Sequence, residues 1–391
     1  ENKLTAITDP EGDVTTLSYD AAGQLTGVTD ANGASGQISY DADGNSTAAV
    51  DGLGYTTGYE YDGLGRIVKQ NNADETSRSY TYDANGNVLS ITDERGNATA
   101  YTYDAMNRLL SVTDPEGGVI AYTYTADGLL ATETDQKGSV TAYGYDGNHN
   151  ITSITDGRGN TSSMSYDALN RLTALTDAEG GTTSYSYDEV GSLTSITTPN
   201  GGVYTSTYDE TDNETSVTDA LGHTESYTYD ENGNCTSVTD RRGNTTTYEY
   251  DKNNRLTKIT DALGGETIYT YDALGQVTSI TNAMDGVTST VYDANGQVTT
   301  DANELADEGT THKVRYEYDS MGRVTKRYNE DGSSVRYEYD ANGNITKLVN
   351  ERGRAYTYTY DKNNLLLTET DPMGGTTTYT YTPDGELASA T

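Results

Sequence analysis

The chain has 391 residues, a net charge of −37 at pH 7, and only 33% hydrophobic residues. A negative field of this strength repels nucleic acids and anionic membranes, whose recognition depends on Lys and Arg contacts. A single Cys excludes a disulfide framework, and no apolar run approaches the length of a transmembrane helix. We therefore predict no nucleic-acid partner and no insertion of this segment into a membrane.

Tyrosine recurs every 21 residues from Tyr19 to Tyr292, and again from Tyr318 to Tyr381 after one interval of 26 residues. Asp follows 16 of these 18 tyrosines. A fixed period in this range indicates one small structural unit repeated along the chain. The sequence thus predicts that residues 1–391 form a single array of about 18 repeats of 21 residues. Because both termini fall within a repeat, we expect the chain to be a segment of a longer protein.

Each repeat contains two runs of strand-forming residues, as in Leu109–Thr113 and Val119–Tyr124. Their β-branched, aliphatic and aromatic residues favour strands, and Tyr122 and Tyr124 alternate onto one face. With about 36 strands at about 4.8 Å spacing, the ribbon would be about 170 Å long and about 20 Å wide. A sheet of this length is expected to twist and coil.

Two turns of the same chemistry connect the strands of each repeat. The first turn begins with the Asp after the tyrosine, where the carboxylate can accept a hydrogen bond from the backbone N–H two residues on. Its fourth residue is Gly in 12 repeats and Asn, His or Asp in the other six, and these residue types tolerate positive φ. This pattern predicts a type I turn closed by a left-handed residue. The representative residues of the two turns are Asp83, Gly86, Asp104, Asn107, Asp114 and Gly117.

Most tyrosines fall into two ladders. Thirty-one of the 35 occupy the Tyr-Asp position or the position two residues earlier. We predict that their rings are largely packed along the ribbon, with Tyr82, Tyr103, Tyr229 and Tyr250 as representatives. Cross-strand aromatic contacts contribute about 0.2–1 kcal/mol each. Aliphatic residues follow six and nine positions after the tyrosine, and this odd spacing places them on opposite faces unless a bulge intervenes, which the sequence leaves open.

The Asp residues that are candidates for catalytic groups recur in every part of the array, whereas the residues of an active site occur once. Each Asp has equivalents in other repeats, whereas a catalytic pair should be environmentally distinct, so we predict structural turn aspartates, no enzyme activity, no cofactor and no metal. Calcium binding is the alternative for the Asp turns. His149, His223 and His312 lie far apart in sequence, and Cys235 occupies an aliphatic position that suits a small core residue.

One segment breaks the repeat. A five-residue insertion lies near residues 299–309, and we predict an acidic, solvated loop there. Insertions in repeat arrays map to loops, which often carry contacts to other molecules.

The repeated unit resembles the YD-repeat or RHS-repeat family. Its pattern is Y-D-x-x-G-[NR]-[LV]-x-[SA]-[IV]-T-D-x-x-G-x-x-T-x-Y-x-Y-D, which residues 82–104 follow almost throughout, and the resemblance covers the whole chain. It implies an all-β fold in which an antiparallel β-hairpin ribbon winds into a superhelical hollow shell or tube. The family includes polymorphic toxins, toxin-complex cocoon subunits and the teneurins. In the toxins the shell encloses a C-terminal effector.

The resemblance implies a non-enzymatic structural β-shell of a secreted or cell-surface protein, acting as the encapsulating wall of a polymorphic toxin. The alternative is an extracellular filament or adhesin built from the repeats, with tyrosines that bind glycans. The implied partners are the chain's own repeats or neighbouring subunits end to end, an encapsulated effector domain, or a cell-surface glycan. The regularity of the repeat favours an open superhelix, whose uncapped end strands would recruit another strand.

Overall fold

The computed structural model describes residues 3–304 and 311–391, and every regular element within these ranges is a β-strand. No helix in this part of the chain is long and apolar enough to cross a membrane. The first eighteen strands are β1 (Ala6–Thr8), β2 (Val14–Tyr19), β3 (Leu25–Thr29), β4 (Ser35–Tyr40), β5 (Ser46–Val50), β6 (Thr56–Tyr61), β7 (Ile67–Asn71), β8 (Ser77–Tyr82), β9 (Val88–Thr92), β10 (Ala98–Tyr103), β11 (Leu109–Thr113), β12 (Val119–Tyr124), β13 (Leu130–Thr134), β14 (Val140–Tyr145), β15 (Ile151–Thr155), β16 (Thr161–Tyr166), β17 (Leu172–Thr176) and β18 (Thr182–Tyr187). The others are β19 (Leu193–Thr197), β20 (Val203–Tyr208), β21 (Glu214–Thr218), β22 (Thr224–Tyr229), β23 (Cys235–Thr239), β24 (Thr245–Tyr250), β25 (Leu256–Thr260), β26 (Glu266–Tyr271), β27 (Val277–Thr281), β28 (Val287–Tyr292), β29 (Val298–Glu304), β30 (Thr311–Tyr318), β31 (Val324–Tyr328), β32 (Ser334–Tyr339), β33 (Ile345–Val349), β34 (Ala355–Tyr360), β35 (Leu366–Thr370), β36 (Thr376–Tyr381) and β37 (Leu387–Ala390).

Each strand pairs antiparallel with the next one along the chain, which makes a single open sheet of 37 strands. The solvent-accessible surface is 22562 Å², against about 15,000 Å² expected for a compact monomer of this mass. Among the described residues only Asn72, Gly286 and Val335 are buried. The all-β ribbon predicted from the sequence is confirmed, and it is one layer thick.

Both turns of the repeat have the geometry that the sequence predicted for the first turn. In the first turn, the Gly86 N–H donates to the Asp83 carbonyl over 3.2 Å, and φ is 94° at Gly86 and 62° at Asn107. In the second turn, the Gly117 N–H donates to the Asp114 carbonyl over 3.0 Å, with φ of 95° at Gly117. These left-handed residues close each type I turn, so the chain reverses within four residues.

Positive φ extends to every non-glycine residue at the fourth position of a first turn, including His149 (70°) and Asp212 (66°). The sequence predicted positive φ only at this position of the first turn. The fourth residue of the second turn follows the same rule, with Glu75 (69°) and Asp285 (58°) standing where most repeats have Gly. Both edges of the ribbon are therefore built from the same turn.

A β-bulge resolves the placement of the aliphatic residues. Thr81 pairs with Ser90, but the next pair is Tyr82 with Val88, so Leu89 is the extra residue of the bulge. Cross-strand partners share a face of the sheet, and because the bulge absorbs one residue, both aliphatic positions lie on the face of the tyrosines. We call this side the tyrosine face. The opposite side, the hydroxyl face, carries Ser and Thr pairs such as Thr81 with Ser90 at 2.7 Å.

The repeat insertion lengthens one hairpin. Residues 299–304 lie in β29, which pairs with β30 from Thr300 opposite Arg315 to Glu304 opposite Thr311. Equivalent hairpins have three such pairs, whereas this one has five. The remainder of the predicted loop, up to residue 309, lies outside the described residues.

Replacing Gly86 should test the turn geometry. The Cβ of a new side chain would meet no atom within 4 Å, so the cost arises from the backbone alone. We expect Gly86→Val to lower the free energy of unfolding by about 1–2 kcal/mol, because a β-branched residue resists positive φ. Gly86→Asn should cost clearly less, since Asn107 holds the same position at φ of 62°. Urea unfolding of both variants measures this, and equal losses would contradict it.

Candidate functional site

The tyrosine of each Tyr-Asp pair, here called the ladder tyrosine, joins one repeat to the preceding one through its hydroxyl group. Tyr82 Oη donates to the carbonyl oxygen of Ile67 over 2.7 Å. An equivalent bond occurs at 17 of the 18 ladder tyrosines, with lengths of 2.5 to 2.9 Å. The acceptor is the first residue of the preceding strand in 16 of them, whereas Tyr19 donates to Leu4, just before β1. The ladder is thus a row of hydrogen bonds and not only a row of rings.

The hydroxyl group is needed because the two strands joined by a second turn, such as β7 and β8, pair only near that turn. β7 and β8 pair only through Lys69, Gln70 and Asn71 on β7, so the Ile67 carbonyl has no backbone partner on β8. A buried carbonyl without a partner would cost about 1–3 kcal/mol. The side chain of Tyr82 spans the gap and satisfies this group.

The four representative tyrosines are all partly buried. Tyr229 donates to the Glu214 carbonyl and Tyr250 to the Cys235 carbonyl, both over 2.8 Å. Among the described residues, Tyr103 is the ladder tyrosine without this bond. Burial raises the pKa of Tyr82, Tyr103, Tyr229 and Tyr250, so these hydroxyl groups stay protonated to a higher pH than that of a free tyrosine.

In Asp83 and Asp104, both carboxylate oxygens accept hydrogen bonds from groups in or directly after the same turn. Asp83 Oδ1 accepts from the Asn85 and Asn87 N–H groups, each over 2.9 Å, and Oδ2 accepts from Asn87 Nδ2 over 2.8 Å. Asp104 Oδ1 accepts from two N–H groups in the same way, and its Oδ2 accepts from Arg108 Nε over 2.7 Å. These aspartates act as turn caps.

The hydrogen bonds hold the turn carboxylates in the ionised form. The side chain of Asn87 lowers the pKa of Asp83, and the backbone and side chain of Arg108 lower that of Asp104. Burial acts to raise the pKa of Asp114, but bonds from Gly118, Gln136 and Asn363 bring it below its ordinary value. Among the described residues, no three His, Cys, Asp or Glu side chains are arranged to hold a metal ion.

Arg after the first turn links that turn to the next ladder tyrosine. Arg108 pairs with Asp104 Oδ2 and stacks over the Tyr124 ring at 4.6 Å from its centroid. A cation–π contact at a partly exposed site contributes about 0.5–1 kcal/mol. The same arrangement is found for Arg66, Arg171, Arg255 and Arg323 with Tyr82, Tyr187, Tyr271 and Tyr339.

The histidines and the cysteine remain isolated from one another. His223 Nδ1 lies 3.3 Å from Asp219 Oδ2, within its own turn, and His312 Nδ1 lies 2.5 Å from Glu330. Cys235 is partly buried, and burial raises the pKa of its thiol. None of these groups is placed beside another reactive group in the described part of the chain.

A line of contacts between successive superhelical turns, which we call the seam, is the feature that the sequence did not reveal. It joins second turns near the start of the chain to first turns 240 to 249 residues later. The second turn between β1 and β2 meets the first turn between β24 and β25, so one superhelical turn contains 23 strands.

Side chains of the turns form the seam. Asn253 Nδ2 donates to Asp9 Oδ2 over 2.6 Å, and Asn342 Nδ2 donates to Asp93 Oδ2 over 2.7 Å. Seven consecutive turn pairs make such contacts: Asp9–Asn253, Asn32–Asp272, Asp51–Asn295, Asp74–Arg323, Asp93–Asn342, Asp114–Asn363 and Lys137–Asp384. The regular spacing of these contacts joins the two superhelical turns along one continuous line.

Two further signals in the sequence point to interactions that the repeat pattern alone did not predict. The chain has 35 Tyr and no Phe, which indicates that the hydroxyl group is used. Wherever Glu precedes the ladder tyrosine, Lys stands opposite it across the strand pair, as Glu338 and Lys347 do at 2.7 Å. No comparable local signal marks the seam.

These features define a repeat protein whose ribbon forms a continuous structural wall. The chain belongs to the RHS repeat family, whose model matches residues 1–35, 40–77, 82–119, 124–161, 166–203, 187–224, 208–245, 229–267, 250–283, 271–305, 322–355, 339–372 and 360–391. A search among curated proteins gives no match to this sequence.

Two solved structures have a similar fold. A crystal structure of TcdB2-TccC3-TEV matches with a TM-score of 0.63 and 14% identity over 96% of this chain and 25% of that chain. A crystal structure of TcdB2-TccC3-Cdc42 matches with a TM-score of 0.59 and 16% identity over 95% of this chain and 22% of that chain. The chain spans about a quarter of the length of these proteins.

The hydroxyl ladder can be tested by removing one oxygen atom. Tyr250→Phe removes the bond to the Cys235 carbonyl, and we expect a loss of about 1–3 kcal/mol in the free energy of unfolding, because that carbonyl is left without a partner. Tyr248→Phe is the matched control, since Tyr248 packs on the same face opposite Ile259. It should cost less than about 0.5 kcal/mol, as is usual where no buried partner is lost. Equal losses in urea unfolding would show that only the rings matter.

Asp209 allows a test of the turn caps by pH. Bonds from the backbone and side chain of Asn213 and from Thr211 lower the pKa of its carboxyl from 3.8 to about 2. Its stabilising contribution is therefore complete above about pH 4 and is lost as the pH falls through about 2. Carboxyl NMR titration should find this midpoint. As the pH falls from about 4 to about 2, the Asp209→Asn variant should lose less stability than the unchanged protein, because an Asn side chain does not titrate. Asn282 shows that Asn can cap such a turn. Parallel curves would contradict this.

Proposed function

We propose that this RHS-repeat chain is part of the wall of a secreted toxin shell, and that the wall encloses an effector polypeptide. The observation that carries the proposal is the seam. If successive superhelical turns did not touch, water and proteases would pass between them. Contacts at seven consecutive pairs of β-turns favour a closed wall instead. The matches to TcdB2-TccC3 structures support a wall of this fold.

The dimensions of the superhelix favour an extended cargo. Twenty-three strands per turn at about 4.8 Å spacing give a circumference of about 110 Å and a diameter of about 35 Å. A wall about 10 Å thick leaves a bore of about 25 Å. This space accepts an extended chain or a helix of about 10–12 Å diameter. A folded domain of 100 residues, with a radius of gyration of about 13 Å, would fill more than the bore.

A passive role agrees with the chemistry of the turns. The aspartates are committed to backbone and side-chain hydrogen bonds, as at Asp83 and Asp104, so they are poorly placed to accept protons from a substrate. The ladder tyrosines use their hydroxyl groups within the sheet, which leaves little for glycan recognition. We infer that the wall itself is non-enzymatic and acts by confinement.

The test is protection of a cargo from protease. The intact protein, purified from its source, is treated with a broad-specificity protease, and mass spectrometry identifies surviving peptides that lack the 21-residue period. The seam variant combines Asn253→Asp, Asn342→Asp and Asn363→Asp. Each new carboxylate faces Asp9, Asp93 or Asp114, and this repulsion should open the seam.

The control variant combines Asn85→Asp, Asn148→Asp and Asn232→Asp, which occupy the same turn position away from the seam. We expect the unchanged protein and the control to protect the cargo, and the seam variant to lose protection while its circular dichroism stays β-rich. An intact protein that protects no foreign polypeptide would overturn encapsulation. Equal protection by both variants would show that the seam does not close the wall.

A further inference from the structure

The hydroxyl face carries a concentration of positive charge near β31, although the net charge of the chain is −37. On the described strands β29–β33, this face has five cations and three carboxylates: Lys313, Arg315, Lys326, Arg336 and Lys347, with Glu304, Glu317 and Glu338. We call Arg315, Lys326, Tyr328 and Arg336 the cationic cluster. It lies on a face of the sheet and not on an edge, so its exposure does not depend on where the array begins or ends.

The two arginines of the cluster break the repeat pattern. Arg315 and Arg336 stand three residues before a ladder tyrosine, a position that is uncharged in the other 16 of the 18 repeats. Lys326 stands directly opposite Arg336 across the strand pair. Like charges directly opposite each other destabilise a strand pair, so this arrangement costs free energy unless an anion compensates it.

Tyr328 removes the carboxylate that would otherwise pair with Lys326. At the same strand position in another repeat, Lys258 pairs with Glu249 at 3.1 Å. Glu317 stands opposite Lys326 in the same way, but it accepts a hydrogen bond from Tyr328 Oη over 2.5 Å. Lys326 Nζ lies instead 4.1 Å from the centroid of the Tyr328 ring. The lysine is therefore left without its usual counter-ion.

The cations of the cluster are placed and accessible. The Arg315 guanidinium lies 4.8 Å from the centroid of the Tyr328 ring, so one ring contacts two cations. Arg315 and Arg336 are exposed, whereas Lys326 and Tyr328 are partly buried. Within residues 3–304 and 311–391, no ion pair joins Arg315, Lys326 or Arg336 to a carboxylate.

The surroundings of the cluster favour a polypeptide as its ligand. Val349 stands opposite Arg336, and Val291, which is 55% exposed, lies in the same row of the face as Arg315. A ligand that covers this surface must supply apolar groups as well as anions. The Tyr328 ring already contacts two cations, which leaves it poorly placed to stack on a sugar. Arginine binds the planar carboxylate group through two parallel hydrogen bonds.

We propose that the cationic cluster binds an acidic segment of another protein, in which carboxylate side chains alternate with small polar and apolar ones. In an extended segment every second side chain points to the same side, at a spacing of about 6.6 Å. Cations two residues apart on one strand, such as Lys313 and Arg315, have the same spacing. The proposal is independent of encapsulation.

The test uses a defined peptide as the probe. A fluorescein-labelled peptide of about 10 residues, in which Glu alternates with Val and Ser, spans about 33 Å when extended. The reference peptide has Gln in place of Glu. Fluorescence anisotropy is measured at about 0.15 M salt, where the Debye length of about 8 Å screens the distant carboxylates of the chain.

Two double variants separate the cluster from the general effect of charge. Arg315→Ser with Arg336→Ser removes the two exposed arginines and introduces the residue found at the same position as Ser163. The control, Lys69→Ser with Lys258→Ser, removes the same charge from the hydroxyl face at two lysines that already pair with glutamates. Circular dichroism checks that both variants fold, and Arg315→Gln with Arg336→Gln replaces the first variant if it does not.

The unchanged protein and the control should bind the Glu peptide equally, and the arginine variant should raise the dissociation constant at least about fivefold, equivalent to about 1 kcal/mol. The Gln peptide should bind the unchanged protein more weakly than the Glu peptide. Equal binding of the Glu peptide by the arginine variant, or none by the unchanged protein, would overturn the proposal. Tighter binding of a heparin octasaccharide than of the Glu peptide would overturn it in favour of an anionic glycan. Stronger peptide binding after Asp307→Asn with Glu308→Gln would show that the chain's own acidic segment is the occupant.

Discussion

The hydroxyl group of the ladder tyrosine is the interaction on which the rest of the ribbon depends. The two strands joined by each second turn pair only near that turn, and no backbone pairing closes the gap at their other end. A side chain with a rigid ring and a terminal donor spans it, and the protein uses this solution in nearly every repeat. Without that donor, the two strands would be joined by three residue pairs only, and the sheet would lose its continuity at one edge.

The ribbon has almost no interior, so its stability must come from short-range contacts repeated many times. Turn caps fix the ends of the strands, aliphatic and aromatic residues cover one another on the tyrosine face, and Ser and Thr pair on the other face. In such an array each unit interacts mainly with its neighbours, and the total stability approximates a sum of unit and interface contributions. The large negative charge opposes compaction, and this one-layer architecture spreads that charge over a large surface.

The sequence predicted what depends on local chemistry and missed what depends on accumulated geometry. Turn positions such as Gly86 and His149 were predictable because positive φ restricts the residue type directly. The shared face of the aliphatic residues was left open, since it rests on a bulge that a period of 21 residues does not reveal. The seam could not be predicted, because Asp9 and Asn253 meet only after the curvature of 23 strands has been summed.

The insertion near residue 300 shows which changes in chain length leave the seam unaltered. It lengthens a hairpin without adding a strand, so sequence separation across the seam rises from 244 to 249 while the same turns still meet. Gain or loss of a whole 21-residue unit would instead shift every later seam partner by one unit. Second turns almost always begin with Asp or Asn. After such a shift, each first turn of the seam would therefore still face a side-chain oxygen, and arrays of different repeat number would keep the seam contacts.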